Sequence, residues 1–119
     1  MSSAPTLNLV GAGRVAHTLA RLWSLQATFI IQDVLTTSLD SAQDACAFIG
    51  AGHAVQSMRA MRTADVWMLA VPDAQLAGCA QSLAEALTRA HPATAARAPV
   101  VFHCSGAHGS ILLLSLIHI

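Results

Sequence analysis

Gly11-Ala12-Gly13-Arg14-Val15-Ala16 is the stretch of this sequence whose residue types and spacing are best suited to chemistry. It fits the pattern G-x-G-x-x-(G/A), a loop that binds phosphate through its backbone. Gly11 permits a tight turn out of a strand. Gly13 lets the backbone approach a pyrophosphate without a Cβ in the way, and Ala16 is small enough for a helix to pack closely on that strand. Amides at the start of the helix then face the anion, helped by the positive end of the helix dipole. Ala12, Arg14 and Val15 complete the candidate binding loop. Arg14 has the reach to touch a phosphate, although a solvated arginine on a first helical turn accounts for it too. His17 reads as a surface residue rather than a ligand.

Ligands of open α/β sheets bind beyond the carboxyl ends of the strands, so the other strand ends supply the remaining candidates. An acidic residue after the second strand would take the ribose hydroxyls of NAD, whereas hydroxyl or basic residues accommodate the extra phosphate of NADP. Asp33 lies two residues before the expected strand end at Leu35, and Thr36, Thr37 and Ser38 follow. Three hydroxyls favour NADP over NAD, and a shift of one or two residues in the strand boundary would bring Asp33 back to the ribose. Val71 and Pro72 follow the fourth strand, on the ribose and nicotinamide side, with Asp73 expected to cap the next helix. His103-Cys104-Ser105-Gly106 ends the fifth strand. Ser105 is a hydrogen-bonding candidate for substrate or carboxamide, and Gly106 allows close approach. His103 is an acid-base candidate with a core histidine as the alternative. Cys104 lacks an evident basic partner and reads as a small buried side chain. His108, before Gly109, is a substrate-side candidate.

The elements that must position these residues alternate. Thr6 to Val10 is a short strand, followed by a helix from Arg14 to about Gln26, with Val15, Leu19, Leu22 and Trp23 expected on its buried face. Thr28 to Leu35 is the second strand. A second helix, with cap types at Ser38, Asp40 and Ser41, carries Ala42, Ala45, Cys46 and Ile49 on one face and stops at Gly50 and Gly52. His53 to Val55 is a short strand, and Ser57 is placed to cap a small helix through Met61. Asp65 to Val71 is a continuous apolar run suited to a strand buried on both faces. A helix from about Ala74 to Arg89 buries Leu76, Cys79, Ala80, Leu83 and Leu87. His91 to Pro99 reads as a loop and Pro99 to Cys104 as the last strand. The expected fold class is α/β, a doubly wound parallel sheet in three α/β/α layers, Rossmann-like.

A chain of 119 residues holds one domain. Its composition is 55% hydrophobic and 10% charged, yet no stretch reaches the roughly 20 apolar residues of a spanning helix. The formal net charge is zero, so nothing points to nucleic acid or an anionic membrane. Three cysteines without a Cys-x-x-Cys pair suggest neither disulfides nor zinc. A reducing cytoplasm fits that cysteine pattern, and Met1 to Pro5 places no basic residue ahead of a hydrophobic run, so a secretory signal is not expected. Residues 111–119 form an apolar tail without a polar face, which reads as truncated or non-native; the domain is therefore expected over residues 1–110.

With these pieces placed, the chain resembles a family of Rossmann-like oxidoreductases without an assigned substrate, related to pyrroline-5-carboxylate reductase and the deazaflavin-dependent NADP reductases. The matching stretches are LNLVGAGRVAHTLARLW, FIGAGHAV, ADVWMLAVPDAQLA and VVFHCSGAHGS, spanning nearly all of residues 7–110. The resemblance implies an NAD(P)-binding domain followed by a helical domain of the 6-phosphogluconate-dehydrogenase C-terminal type, which shapes the substrate pocket and drives homodimerisation. That second domain is missing here. Members often carry an Asn-Arg-Ser-like turn where this chain has Thr36-Thr37-Ser38. The implied activity is hydride transfer between NAD(P)H and a small carbonyl, imine or hydroxy compound, with this piece alone inactive. The alternatives are a non-catalytic nucleotide-binding sensor or scaffold and, ranked last, a nucleotide-dependent enzyme such as a methyltransferase.

Overall fold

A computed structural model describes residues 4–90 and 99–103. Five parallel strands stand in the order β3-β2-β1-β4-β5: β1 Thr6–Val10, β2 Ile30–Leu35, β3 His53–Val55, β4 Val66–Leu69 and β5 Val100–His103. Three α-helices alternate with them, α1 Arg14–Leu25, α2 Leu39–Ile49 and α3 Asp73–Ala90, and a 3₁₀ turn covers Met58–Ala60. The chain runs outward from β1 through β2 to β3, returns, and runs the other way through β4 to β5. The strand order thus reverses between β1 and β4, which is where a doubly wound sheet opens a crevice at its carboxyl edge. No helix of the described residues is long and apolar enough to cross a membrane.

Burial on both faces explains why β4 reads as Val66-Trp67-Met68-Leu69 with no polar break, since all four are buried. Val66 and Met68 join Leu7, Leu9, Ile31 and Val34 under α1 and α2, whereas Trp67 and Leu69 join Val10, Leu76, Leu83 and Val101 under α3. The strand's period of two thus feeds two separate cores.

The contact face of α1 differs from expectation. Ala16 and Ala20 are fully buried, while Val15 is 65% and Leu22 46% exposed. One residue turns a helix by about 100°, so the alanines face the sheet and the larger residues flank them. Small side chains let the helix axis approach the strands. Trp23 fills the boundary, meeting Phe29 edge-to-face at 5.1 Å and Phe102 at 6.3 Å. The second strand also begins two residues later than its composition suggests. Ala27 takes a left-handed conformation at φ +56, its N–H donates to the Ser24 carbonyl at 3.2 Å, and the Thr28 N–H donates to the Trp23 carbonyl at 2.9 Å. These two bonds close α1 in a Schellman motif, so Thr28 belongs to the helix end and not to the strand. Ser57 precedes the 3₁₀ turn as expected, but its side chain makes no capping bond.

Between Leu7 and Leu9 the pairing of β1 slips, since Leu7 faces Ile31 but Leu9 faces Val34. Two residues of β2, Gln32 and Asp33, therefore stand opposite Asn8, which makes a β-bulge. The fully buried Asn8 serves it: Oδ1 accepts from the Asp33 N–H and from Gln32 Nε2, both at 3.1 Å, and Nδ2 donates to the Arg62 carbonyl at 2.6 Å.

Candidate functional site

The loop after β1 is held from three sides. Gly11, at φ +114, donates its N–H to the Leu35 carbonyl at the end of β2, at 2.7 Å. Gly13 donates to the Ala70 carbonyl just past β4, at 3.2 Å. A Cβ on Gly11 would stand 2.3 Å from that same Ala70 oxygen, an overlap that backbone cannot relieve locally. A Cβ on Gly13 would lie 3.2 Å from the Ala70 oxygen and 3.4 Å from the Ala70 Cβ. Both glycines thus answer to the protein's own β4 end. For Gly13 this adds to the sequence argument, which looked only to the approach of a pyrophosphate. Ala16 plays the part expected of it, packed without exposure against the sheet.

Gly13 is the N-cap of α1 and has no side chain to cap it. The first intrahelical bond runs from the His17 N–H to the Gly13 carbonyl at 3.1 Å. The N–H groups of Arg14, Val15 and Ala16 precede it and so have no acceptor in the helix. They open onto a groove of about 360 Å³ lined by Ala12, Gly13, Arg14, Val15, Ala16, Ala70, Val71 and Pro72. Among the described residues Arg14 is its one charged residue, exposed, and no carboxylate lines it. An anion there meets backbone donors and a positive helix end, a combination worth about 0.3–1 kcal/mol per charge even in exposed positions.

Two of the segments singled out from sequence are therefore brought together: Ala12 to Ala16 on one side of the groove, Val71 and Pro72 on the other. Gly11 lies buried beneath. Thr36, Thr37 and Ser38 do not line the groove. Thr36 Oγ1 donates to the Ser38 carbonyl at 3.0 Å, and Ser38 Oγ accepts the Ser41 N–H at 3.1 Å as the N-cap of α2. Thr37 is exposed. Asp73 begins α3, where its carboxylate complements the helix dipole. His103, half-buried, ends β5 beside Leu69. Cys104, Ser105, Gly106, His108, Gly109 and the 111–119 tail lie outside the described residues.

Asp33 is withdrawn from the edge. Its carboxylate is fully buried and accepts the Arg62 N–H at 2.7 Å, Arg62 Nη2 at 2.8 Å and Arg62 Nε at 3.3 Å. Sequence reasoning did not find three contributors: Ala70 as the floor of the loop, Arg62 as the partner of Asp33, and His17. The His17 ring reaches back to the Gly11 carbonyl at 3.0 Å, so it is no plain surface residue. Ala70 had a signal, lying between an apolar run and Val71-Pro72; the other two had none. Burial pushes the Cys79 thiol above its ordinary value, and burial followed by the charge of Asp33 does so for Cys46, so neither is a ready thiolate. Among the described residues no group of three or more His, Cys, Asp or Glu side chains is placed to hold a metal ion.

A parallel sheet that reverses order beside a glycine loop and an uncapped helix defines a Rossmann-like domain. The chain belongs to the Rossmann-like domain family, whose model matches residues 3–118. Among solved structures it is similar to the "putative NADP oxidoreductase BF3122 from Bacteroides fragilis", with a TM-score of 0.69 and 19% identity over 88% of this chain. This chain spans 37% of the length of that protein. No curated protein sequence matches it significantly.

Proposed function

We propose that the chain is the dinucleotide-binding part of an NAD(P)-dependent oxidoreductase that moves hydride to or from a small carbonyl, imine or hydroxy compound. The observation that carries this reading is the groove itself. Three uncapped amides at the start of α1 face it, two glycines seat it against Ala70, and the described residues of its lining include one guanidinium and no carboxylate. A pyrophosphate fits such donors, and the apolar Val71-Pro72 wall suits the ribose and nicotinamide side. The bound dinucleotide supplies the hydride; this chain's residues bind and orient it and exclude water from its far side.

NADP is favoured over NAD because Asp33 is committed to Arg62 and the turn after β2 offers only hydroxyls. The name of the Bacteroides fragilis neighbour points the same way. His103 and Ser105 remain the candidates for proton transfer and substrate contact. The rest of a longer, homodimeric and cytoplasmic protein supplies most of the substrate pocket. Among the described residues the groove lining offers no side chain that exchanges a proton near neutral pH, which favours one second reading, a sensor that binds the cofactor without turnover.

Titration of the chain with NADPH and NADH, followed by nicotinamide fluorescence, tests this. Saturable binding with NADPH tighter than NADH is expected, and at least tenfold weaker binding for Gly13→Val, whose branched side chain does not fit against Ala70. No binding by the parent refutes the proposal, and equal binding by Gly13→Val refutes the loop as the grip. In the longer protein, binding without oxidation of NADPH by a panel of carbonyls and imines would select the sensor.

A further inference from the structure

His17 Nε2 lies 3.0 Å from the Gly11 carbonyl oxygen. A carbonyl only accepts, so Nε2 carries the proton and donates. The same residue's backbone N–H donates to the Gly13 carbonyl at 3.1 Å. One residue on the first turn of α1 thus ties both glycines of the loop to the helix, Gly13 through the main chain and Gly11 through the ring.

The ring bond acts where the loop is otherwise undetermined. The Gly11 N–H is fixed by the Leu35 carbonyl and the Gly13 N–H by the Ala70 carbonyl. Between those anchors lies the Gly11–Ala12 peptide, and glycine opposes its rotation less than any other residue. His17 is the partner that the described residues offer to its carbonyl. No peptide bond is cis, so the Gly11 carbonyl and the Ala12 N–H point in opposite directions. A carbonyl turned in toward His17 turns the Ala12 N–H away from it. Ala12 is exposed, lines the groove, and its N–H meets no acceptor among the described residues.

We propose that His17 is a positioning residue of the anion loop: by holding the Gly11 carbonyl, it presents the Ala12 N–H as a fourth donor beside the amides of Arg14, Val15 and Ala16. This rests on the dinucleotide reading above and names the side chain that sets the loop's donor geometry. It touches no ligand itself. A peptide flipped the other way would aim a carbonyl, with its partial negative charge, at the site of the phosphates.

The test has two parts. Long-range ¹H–¹⁵N spectra of the unmutated, ligand-free chain assign the ring proton of His17, and Nε2 is the expected site. NADPH titrations then compare His17→Leu, which keeps bulk without a donor, with His17→Gln, whose terminal amide nitrogen reaches nearly as far as Nε2. His17→Leu is expected to weaken binding about tenfold, the scale of one lost hydrogen bond, with His17→Gln recovering to within about threefold of the parent. A purely structural role would be read as a lowered melting temperature without rescue by glutamine. A neutral ring protonated on Nδ1, a His17→Leu variant that binds like the parent, or a His17→Gln variant that binds no better than His17→Leu overturns the proposal while the dinucleotide reading stands. A parent that binds no dinucleotide overturns both.

Discussion

Adding one carbon at the two glycines of the loop has very unequal consequences for stability. At Gly11 an alanine Cβ stands 2.3 Å from the Ala70 oxygen, so the loop must move by about 1 Å to reach ordinary contact. That movement breaks the Gly11 N–H bond to Leu35 and the Gly13 N–H bond to Ala70, each worth about 1 kcal/mol net. The backbone at φ +114 adds strain of about 1–3 kcal/mol for a residue with a side chain. The sum is about 3–5 kcal/mol, a large part of the 5–15 kcal/mol typical of a domain. At Gly13 the backbone, φ −62 and ψ 135, already suits alanine, and contacts of 3.2 and 3.4 Å ask the neighbours to give by a few tenths of an ångström. The reduced freedom of the unfolded chain returns about 0.4–1 kcal/mol, so the net change stays within about 1 kcal/mol of zero. Thermal unfolding should show Gly11→Ala melting at least about 12 °C below the parent and Gly13→Ala within about 8 °C of it. Because the atoms nearest a Gly13 Cβ are those of Ala70, in the floor of the loop, Gly13→Ala should bind NADPH less than about tenfold more weakly, a loss of under about 1.4 kcal/mol. A Gly11→Ala variant as stable as the parent would show that the loop does not rest on Ala70. A hundredfold binding loss in a stable Gly13→Ala would place that Cβ against the ligand.

Replacing Asn8 with leucine keeps the bulk but leaves the buried Asp33 N–H unpaired and the part-buried Arg62 carbonyl without its partner; urea unfolding should show a loss of about 1.5–3 kcal/mol, and a loss below about 1 kcal/mol would discount the bulge. Ala27→Gly relieves the left-handed residue that closes α1 and should raise stability by about 0.5–1 kcal/mol in the same assay, with no gain counting against the cap. The sequence has neither lysine nor tyrosine, so between about pH 8.5 and 11 thiols are the only side chains that ionise. Cys46 and Cys79 have folded values raised above the ordinary 9.0, so stability is intact below pH 9.0 and falls as pH rises through the raised values. Unfolding midpoints at about pH 7.5 and 10 should differ in the parent and converge in a Cys46→Ala/Cys79→Ala variant; a parent equally stable at both pH values contradicts the assigned burial.

What could be read from sequence was what is encoded by near neighbours. The glycine loop, the Ser38 cap of α2, the left-handed Gly50 stop and the all-buried run of β4 each follow from a few adjacent residues; the first three stand where expected, and β4 keeps Val66–Leu69 of the expected run from Asp65 to Val71. The face of α1 was misjudged because large hydrophobics carry most of the pattern signal, whereas a helix laid close to a sheet makes its contact through alanine. The start of β2 was misjudged because Ala27 adopts a conformation that its residue type does not announce. Of the site, the loop and Val71-Pro72 were legible as separate strand ends, and their meeting across one groove depends on β1 and β4 being neighbours. Arg62 and His17 depend on contacts that no local spacing reports, one across 29 residues and the other on a ring folded back onto a turn.

On the function proposed above, the bulge opposite Asn8 would link the core to ligand choice. Side chains alternate along a strand, so a one-residue slip in register turns every later side chain to the other face. Val34 lies with Leu7 and Leu9 under α1 and α2, and the extra residue lets Gln32 and Asp33 both serve the α3 side, where Asn8 and the Arg62 segment meet them. Under α1 and α2 the Asp33 carboxylate would face leucine, isoleucine and alanine, with none of the donors that a buried charge requires. The bulge therefore makes an acid tolerable within β2, and the Arg62 backbone and guanidinium saturate it. The same arrangement leaves Thr36, Thr37 and Ser38 as the side chains between β2 and α2, a turn without a carboxylate. A chain with no net charge can then favour a phosphate-rich ligand locally, through donors at α1 and the lack of an opposing acid at the turn after β2.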